Sequence, residues 1–224
     1  MKLKGLLLAV LACCAITVPA AAQTFINTDG TFTSTGNTTG TLSLSASTLT
    51  QVTGLTAYGI SSTPESDLGS VSFTTGSIST GAIDDTTIGG QTTFSAGGSF
   101  TIKYQNGTIF SGTFGTPTTW TYLGNGQYSF VGVVNGTLSV PGYNPVMVMG
   151  ASVQLTTASN GLTASGSGYT VKDSGGSTSF GLPAGGLTPV PEPGTLTLLG
   201  TGLVSLGVFV RRLRTGQNRR EVES

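Results

Sequence analysis

A period-two alternation of apolar and polar residues recurs along the chain between short turn sequences, and it limits the fold more than any other feature. Examples are 71–79, 100–104, 109–114 and 120–123. Such alternation predicts β-strands with one buried face. The turn signals are Asp29-Gly30, Asn106-Gly107, Asn125-Gly126, Asn135-Gly136 and Asn160-Gly161, all pairs that tolerate the positive φ of tight turns. Because no internal stretch has helical periodicity over ten residues, segment 23–182 is predicted to be an all-β domain.

The sharpest hairpin signal is Asn135-Gly136, which lies between two apolar runs at 131–134 and 137–140. A two-residue loop there would pair Val134 with Thr137. The residues that this hairpin would place on one core face are Val131, Val133, Leu138 and Val140. Strands at this spacing favour an antiparallel β-sandwich or jelly roll. The competing β-solenoid requires a fixed repeat of 20–50 residues, which the sequence lacks.

Composition excludes several classes of function. The chain has no His, only two Cys, and nine basic residues against nine acidic ones. Without His there is no Ser-His-Asp or Cys-His catalysis and no His-ligated metal site. A balanced charge argues against binding nucleic acid by neutralising phosphates. We therefore expect no enzyme activity, no cofactor, no metal site and no nucleic-acid partner.

The N-terminus has the anatomy of a secretory signal peptide. A start with two lysines precedes an apolar run at 5–16, and Ala20 and Ala22 provide the small-x-small spacing that signal peptidase requires. This predicts a signal helix over 1–22 that is cleaved before Gln23. Since both cysteines, Cys13 and Cys14, lie inside it, the mature chain has no thiol. An alternative is a lipoprotein box at 10–13, with lipid attached to Cys13.

The C-terminus contains an uncharged apolar stretch at 195–210. As a helix it would be about 24 Å long, enough for a thin transmembrane span. The stretch is followed by the arginines Arg211, Arg212 and Arg214. Cationic flanks remain in the cytoplasm, so the domain lies outside it and 215–224 forms a cytoplasmic tail. The Gly/Pro-rich segment 183–189 is expected to be a linker.

Immediately before this stretch stands a short Pro-Glu-Pro sequence. Its residues are Val190, Pro191, Glu192, Pro193 and Gly194. With the apolar helix and the arginines, segment 190–214 resembles the PEP-CTERM sorting domain of Gram-negative bacteria. The resemblance implies export, transient anchoring in the inner membrane, processing by an exosortase, release to the cell surface or beyond, and association with exopolysaccharide. An ordinary single-span anchor is the alternative, but it leaves Pro-Glu-Pro unexplained.

Few groups in the middle of the chain suggest chemistry. Asp84-Asp85 provides oxygen ligands of the kind that Ca²⁺ binds, but two adjacent carboxylates fill few of the six to eight coordination positions, so a solvated turn is favoured. Glu65 and Asp67 could act as a glycosidase pair, yet they lie where an exposed loop is expected. Trp120 and Tyr122 share one face of a strand and are possible ligand contacts; the alternative is that Trp120 belongs to the core.

These observations favour a structural or adhesive component of an extracellular polysaccharide or biofilm matrix. Abundant Ser and Thr suit contact with a hydrated matrix, and the scarcity of charged groups leaves little for catalysis. Two alternatives remain open. One is a carbohydrate-binding module presented at the cell surface, and the other is a membrane-anchored exported protein of unrelated role.

Overall fold

The structure, a computed structural model, describes residues 22–60, 67–105 and 107–190. These segments form β-strands and one short 3₁₀ helix, Thr56–Tyr58. The strands are β1 Ala22–Thr28, β2 Thr31–Ser34, β3 Leu42–Thr53, β4 Gly69–Thr74, β5 Ile78–Thr80, β6 Gln91–Phe94, β7 Gly97–Tyr104, β8 Gly107–Phe114, β9 Thr118–Gly124, β10 Gln127–Leu138, β11 Val146–Thr157, β12 Thr163–Ser165 and β13 Gly168–Gly181. The prediction of an all-β domain is confirmed.

The strands close into an antiparallel barrel of eight long strands. Four of these are composite, because β1–β2, β4–β5, β6–β7 and β8–β9 each continue in one direction across a short break. Neighbours in sequence are neighbours in the barrel, from β1–β2 through β3, β4–β5, β6–β7, β8–β9, β10 and β11 to β13. The barrel closes where β13 pairs with β1 and β2, with Thr24 opposite Ser179 and Phe32 opposite Val171.

The predicted sandwich or jelly roll is not confirmed, since one closed sheet takes the place of two packed sheets. The up-and-down order defines two ends. The terminal end holds the start of β1, the end of β13 and the β3–β4, β7–β8 and β10–β11 connections. The opposite end holds the other connections, including the loop between β5 and β6. The predicted signal and transmembrane helices lie outside the described residues.

Aromatic side chains fill the interior. Those most deeply buried are Phe25, Phe32, Phe94, Phe100, Phe110, Phe114, Trp120 and Phe130. The Phe73 and Phe130 rings stack with centroids 4.6 Å apart, and those of Phe110 and Phe180 stack at 5.5 Å. An eight-stranded barrel is just wide enough for side chains to fill it. The interior is therefore a packed core rather than a chamber.

The prediction of a hairpin at Asn135-Gly136 is wrong. β10 runs straight through both residues, with Asn135 opposite Thr113 and Gly136 opposite Gly112 on β8. Glycine allows the two strands to approach closely here, because a Cβ on Gly136 would lie 2.8 Å from the Gly112 Cα. Asn135 lies at a bulge against β11, where its Oδ1 accepts the Gly150 N–H at 2.8 Å.

Since β10 does not turn, its even-numbered residues face inward along its whole length. Val134 and Leu138 are fully buried, whereas Val131 is 40% exposed and Val133 is half-buried. The expected core positions Leu138 and Val140 are confirmed, while Val131 and Val133 are corrected to the outer face.

Of the other predicted turns, one is a hairpin turn and another is a bend within a strand. Asn125-Gly126 forms the two-residue turn between β9 and β10 with φ of 53° and 73°, as predicted. Asp29-Gly30 also has positive φ, 59° and 103°, but joins β1 to β2 in one composite strand. It makes a bend instead of a hairpin. A Cβ on Gly30 would lie 2.8 Å from the Ser47 Cβ on β3, so the bend requires glycine.

Candidate functional site

The predicted sorting residues lie almost entirely outside the described part of the chain. Of them, Val190 is described and is 47% exposed. The Pro-Glu-Pro residues and the arginines after the apolar stretch are not described, and neither is Ala20. Ala22 is the exposed first residue of β1, where it pairs with Gly181. Among the residues described, no helix is long and apolar enough to cross a bilayer.

Segment 183–188, part of the predicted linker, is folded against the terminal end of the barrel. Leu187 is buried in the core cluster, and its N–H donates to the Tyr58 hydroxyl at 3.4 Å. Asn144, in the β10–β11 connection, donates its N–H to the Thr188 carbonyl at 2.9 Å and its side-chain amide to the Thr188 hydroxyl at 3.1 Å. The ordered contacts therefore continue to Thr188, three residues before Pro191.

Trp120 and Tyr122 do not form an exposed platform. Trp120 is 1% exposed, stacks on Tyr128 at 5.0 Å and donates its indole N–H to the Ile83 carbonyl at 3.3 Å. Trp120 therefore lies in the core, which the sequence allowed as the alternative to a ligand contact. Tyr122 is half-buried, contacts the Tyr128 ring at 5.0 Å and accepts the Gly126 N–H at 3.1 Å.

These rings lie below the β5–β6 loop at the opposite end. Ile83, in this loop, is 1% exposed and belongs to the core cluster. Burial raises the pKa of Tyr128 to about 12, with smaller contributions from Tyr122, Asp84, Asp85 and Tyr169. Trp120, Tyr128 and Ile83 are thus all buried at this end.

The two loop aspartates make local hydrogen bonds. Asp85 Oδ1 accepts the Thr87 N–H at 2.8 Å, which lowers the pKa of Asp85. Asp84 Oδ2 accepts the Tyr169 hydroxyl at 2.8 Å, which raises the pKa of Tyr169. Across segments 22–60, 67–105 and 107–190, no group of three or more His, Cys, Asp or Glu is placed to hold a metal ion.

The proposed carboxylate pair is only half described. Asp67 Oδ1 accepts the Gly69 N–H at 3.1 Å and so shapes the start of β4. Glu65 lies outside the described residues, so its separation from Asp67 stays a prediction.

The terminal end holds an open cleft of about 480 Å³ that the sequence did not predict. Its lining includes Tyr58, Tyr104, Gln105, Thr108, Ser139 and Pro141. The Tyr58 ring packs edge-on against Tyr143 with centroids 5.2 Å apart. The sequence signal was weak, because these tyrosines are far apart in the chain and none belongs to a motif.

A buried polar cluster lies where β1–β2, β3 and β13 bulge side by side. Asn27 Nδ2 donates to Ser47 Oγ at 2.7 Å and to Asp173 Oδ2 at 3.2 Å, and the Gly175 N–H donates to Asp173 Oδ1 at 3.0 Å. Burial raises the pKa of Asp173 to about 6, although hydrogen bonds from Gly175 and Ser47 lower it. The sequence contained a signal for this burial, because Asp173 lies two residues after the buried Val171 and so faces the same side of β13.

Comparison with known protein families identifies one region. Residues 189–214 match the PEP-CTERM protein-sorting motif, which bears out the resemblance drawn from the sequence. The chain therefore carries the sorting signal of exosortase substrates. No curated protein and no solved structure matched the chain.

Proposed function

We propose that the barrel is a structural or adhesive component of an extracellular polysaccharide matrix. The observation that carries the proposal is the PEP-CTERM motif at 189–214, which marks the chain for export and exosortase processing. The hydrogen bonds of the barrel reach Thr188, directly before this motif. The barrel is thus the part that sorting would deliver.

The outer surface supports this role. The outward positions of the strands are rich in hydroxyl groups, and some of these bond across strands, as Thr24 does with Ser179 at 3.1 Å. The charged residues among those described are Asp29, Asp67, Asp84, Asp85, Lys103, Lys172 and Asp173. A weakly charged hydroxyl surface exchanges hydrogen bonds with water and sugar hydroxyls alike. Such a surface suits many weak contacts with a hydrated polymer.

The packed interior also favours a structural role over ligand transport, because aromatic rings occupy the space that a carrier barrel would use. We propose further that the role is non-catalytic, which the absence of His in the sequence supports. An assay for release of reducing sugar tests this, and activity lost in Glu65→Gln or Asp67→Asn would overturn it. A carbohydrate-binding module is the second candidate, favoured by the cleft at the terminal end.

Processing is tested by expression in an exosortase-positive host and in its exosortase deletion strain. We expect a shortened, released form in the first and full-length, membrane-held protein in the second. Equal amounts of full-length protein in both would contradict exosortase processing and favour the ordinary anchor. A variant with Pro191, Glu192 and Pro193 changed to Ala is the control, because it should behave in the first host as the parent does in the second.

Mass spectrometry of the mature termini adds an independent check. We expect an N-terminus at Gln23 and a C-terminus within 190–194. A lipid-modified Cys13 at the N-terminus would instead establish the lipoprotein alternative.

The matrix role is tested separately by deleting the gene and measuring cell-associated polysaccharide and floc or biofilm mass. We expect a loss that the full chain restores and a chain without 189–214 does not. Unchanged biofilm mass in the deletion strain would contradict the matrix role while leaving export intact.

A further inference from the structure

We infer that the cleft at the terminal end of the barrel binds a short stretch of a neutral saccharide. This inference rests on the second candidate function and gives it a location on the molecule. It does not depend on exosortase processing, because the cleft lies entirely within the barrel unit.

The chemistry of the lining points to an uncharged polyol. The described residues that line the cleft include two tyrosines, an amide, two hydroxyls and a proline, and none of them is charged. Among these described residues an ionised ligand would find no charged partner to offset its lost hydration. A sugar offers apolar C–H faces to aromatic rings and hydroxyls to the amide and the Thr and Ser side chains.

One wall of the cleft is held in position before any ligand arrives. Tyr58 ends the 3₁₀ helix, which Gly59 terminates with φ of 80°. Its ring packs edge-on against Tyr143, with an angle of 86° between the planes, and its hydroxyl accepts the Leu187 N–H. Because the ring is already held on one side and at its tip, little conformational entropy is lost when a ligand stacks on it.

The second wall comes from the β7–β8 connection. Gln105 is held there with φ of 52°, and its N–H donates to the Leu68 carbonyl at 2.6 Å. This left-handed conformation is unusual for a residue with a side chain. The exposed Gln105 lines the cleft together with Tyr104 and Thr108. A ring and two hydrogen-bonding groups therefore meet on this side.

Size is consistent with a small oligosaccharide segment. The volume of about 480 Å³ lies within the range of roughly 300–1,000 Å³ usual for ligand pockets. The cleft itself is open to solvent at the terminal end. A polymer chain could thus enter and leave the cleft without the barrel opening.

The test is isothermal titration calorimetry with the full chain in detergent micelles. The probes are cellotetraose, maltotetraose and chitotetraose, with an alginate oligomer as the anionic comparison. We expect at least one neutral probe to bind, and Tyr104→Ala and Gln105→Ala each to weaken that binding by about tenfold or more. Tyr169→Ala, at the opposite end, is the control and should bind like the parent.

Thr108→Val removes one hydroxyl at nearly constant shape and should also weaken binding. A thermal melt of each variant separates lost binding from lost folding, and Thr108→Val keeps the test decisive if Tyr104→Ala fails to fold. Absence of binding to all three neutral probes would overturn the inference. Binding that survives every cleft variant, or alginate binding tighter than the neutral probes, would overturn it as well. None of these results would bear on sorting, which the exosortase experiment tests.

Discussion

The barrel interior contains two kinds of core that follow different rules. Around Phe73 and Phe130 the rings pack face to face and edge to face, and packing alone stabilises them. Around Asp173 a carboxylate, an amide and a hydroxyl are buried together, and hydrogen bonds must compensate their lost hydration. The aromatic core should therefore depend on shape and be insensitive to pH, whereas the polar cluster should respond to pH.

The cluster is also incompletely satisfied. Asn27 Oδ1 is buried and finds no hydrogen-bond partner among the described residues, although the Asn27 amide nitrogen makes two bonds. Asp29 lies close enough for its negative charge to raise the pKa of Asp173 further. The barrel therefore combines an incompletely satisfied polar cluster with a dense aromatic core.

The largest effect should come from a charge placed in the apolar core. Val134 is fully buried on β10, so Val134→Asp buries an unpaired carboxylate and should cost several kcal/mol, enough to unfold a typical domain. Thermal unfolding followed by circular dichroism measures this. Val133→Asp is the matched control: Val133 faces outward and is half-buried, so this variant should melt much closer to the parent. If Val133→Asp were the more destabilising variant, the even-numbered residues of β10 would not be the ones that face the core.

Phe130→Ala comes next. Phe130 is fully buried and contacts Phe32, Phe73 and Phe114, so its removal leaves a cavity that should cost about 3–5 kcal/mol. Urea unfolding gives the free energy of unfolding directly. The loss should be equal at pH 5 and pH 8, because no titratable group is involved in these ring contacts. A loss that varied strongly with pH would erase the distinction between the two cores.

The polar cluster should make stability depend on pH. Burial raises the pKa of Asp173 in the folded state to about 6, above its usual value of 3.8, so its favourable contribution is fully present below about pH 4. This contribution is lost as pH rises through 6, by up to about 3 kcal/mol. The barrel should therefore melt at a higher temperature at pH 5 than at pH 8.

Asp173→Asn is the control for that dependence. The new amide keeps an oxygen that accepts the Gly175 N–H. Its N–H can donate to Asn27 Oδ1 once the Asn27 amide group has rotated. We expect this variant to be more stable than the parent at pH 8 and its melting temperature to change little between pH 5 and pH 8. A parent whose melting temperature also stays constant across that range would show that Asp173 keeps an ordinary pKa.

The smallest expected effect is that of Ser47→Ala. Ser47 Oγ accepts from Asn27 Nδ2, and its one hydroxyl proton is shared between the Thr28 carbonyl at 3.3 Å and Asp173 Oδ2 at 3.5 Å. The loss of this hydroxyl should cost about 1 kcal/mol at pH 7. Because a donor to the carboxylate is removed, the pKa of Asp173 should rise and the pH transition should move upward. Thr24→Ala, which removes an outer hydroxyl, should leave that transition in place.

Local patterns along the chain were enough to predict strands and some turns. The period of two identified β-structure, since alternate side chains point to opposite faces of a strand whatever its partner. Asn125-Gly126 was predicted correctly because both residues need positive φ at that turn. The sequence left open whether Trp120 belonged to the core or contacted a ligand.

The same dipeptide at Asn135-Gly136 shows where local reasoning fails. A glycine serves a turn and a close strand contact equally well, and the choice here was made by Gly112 on β8, more than twenty residues earlier. Asp29-Gly30 became a bend because β3 and β13 hold both β1 and β2. The partners of these residues lie on other strands, so no nearby residue in the sequence reveals them.

Chain-local chemistry thus determined the all-β class, the weakly charged hydroxyl-rich composition and the sorting motif at 189–214, because each depends on residues adjacent in the sequence. Barrel closure, the burial of Asp173 and the cleft beside Tyr58 arose only in the folded molecule. Each depends on pairing between distant segments, such as β1 with β13. Such pairing reflects the combined register and packing of all eight long strands, and no single segment encodes it.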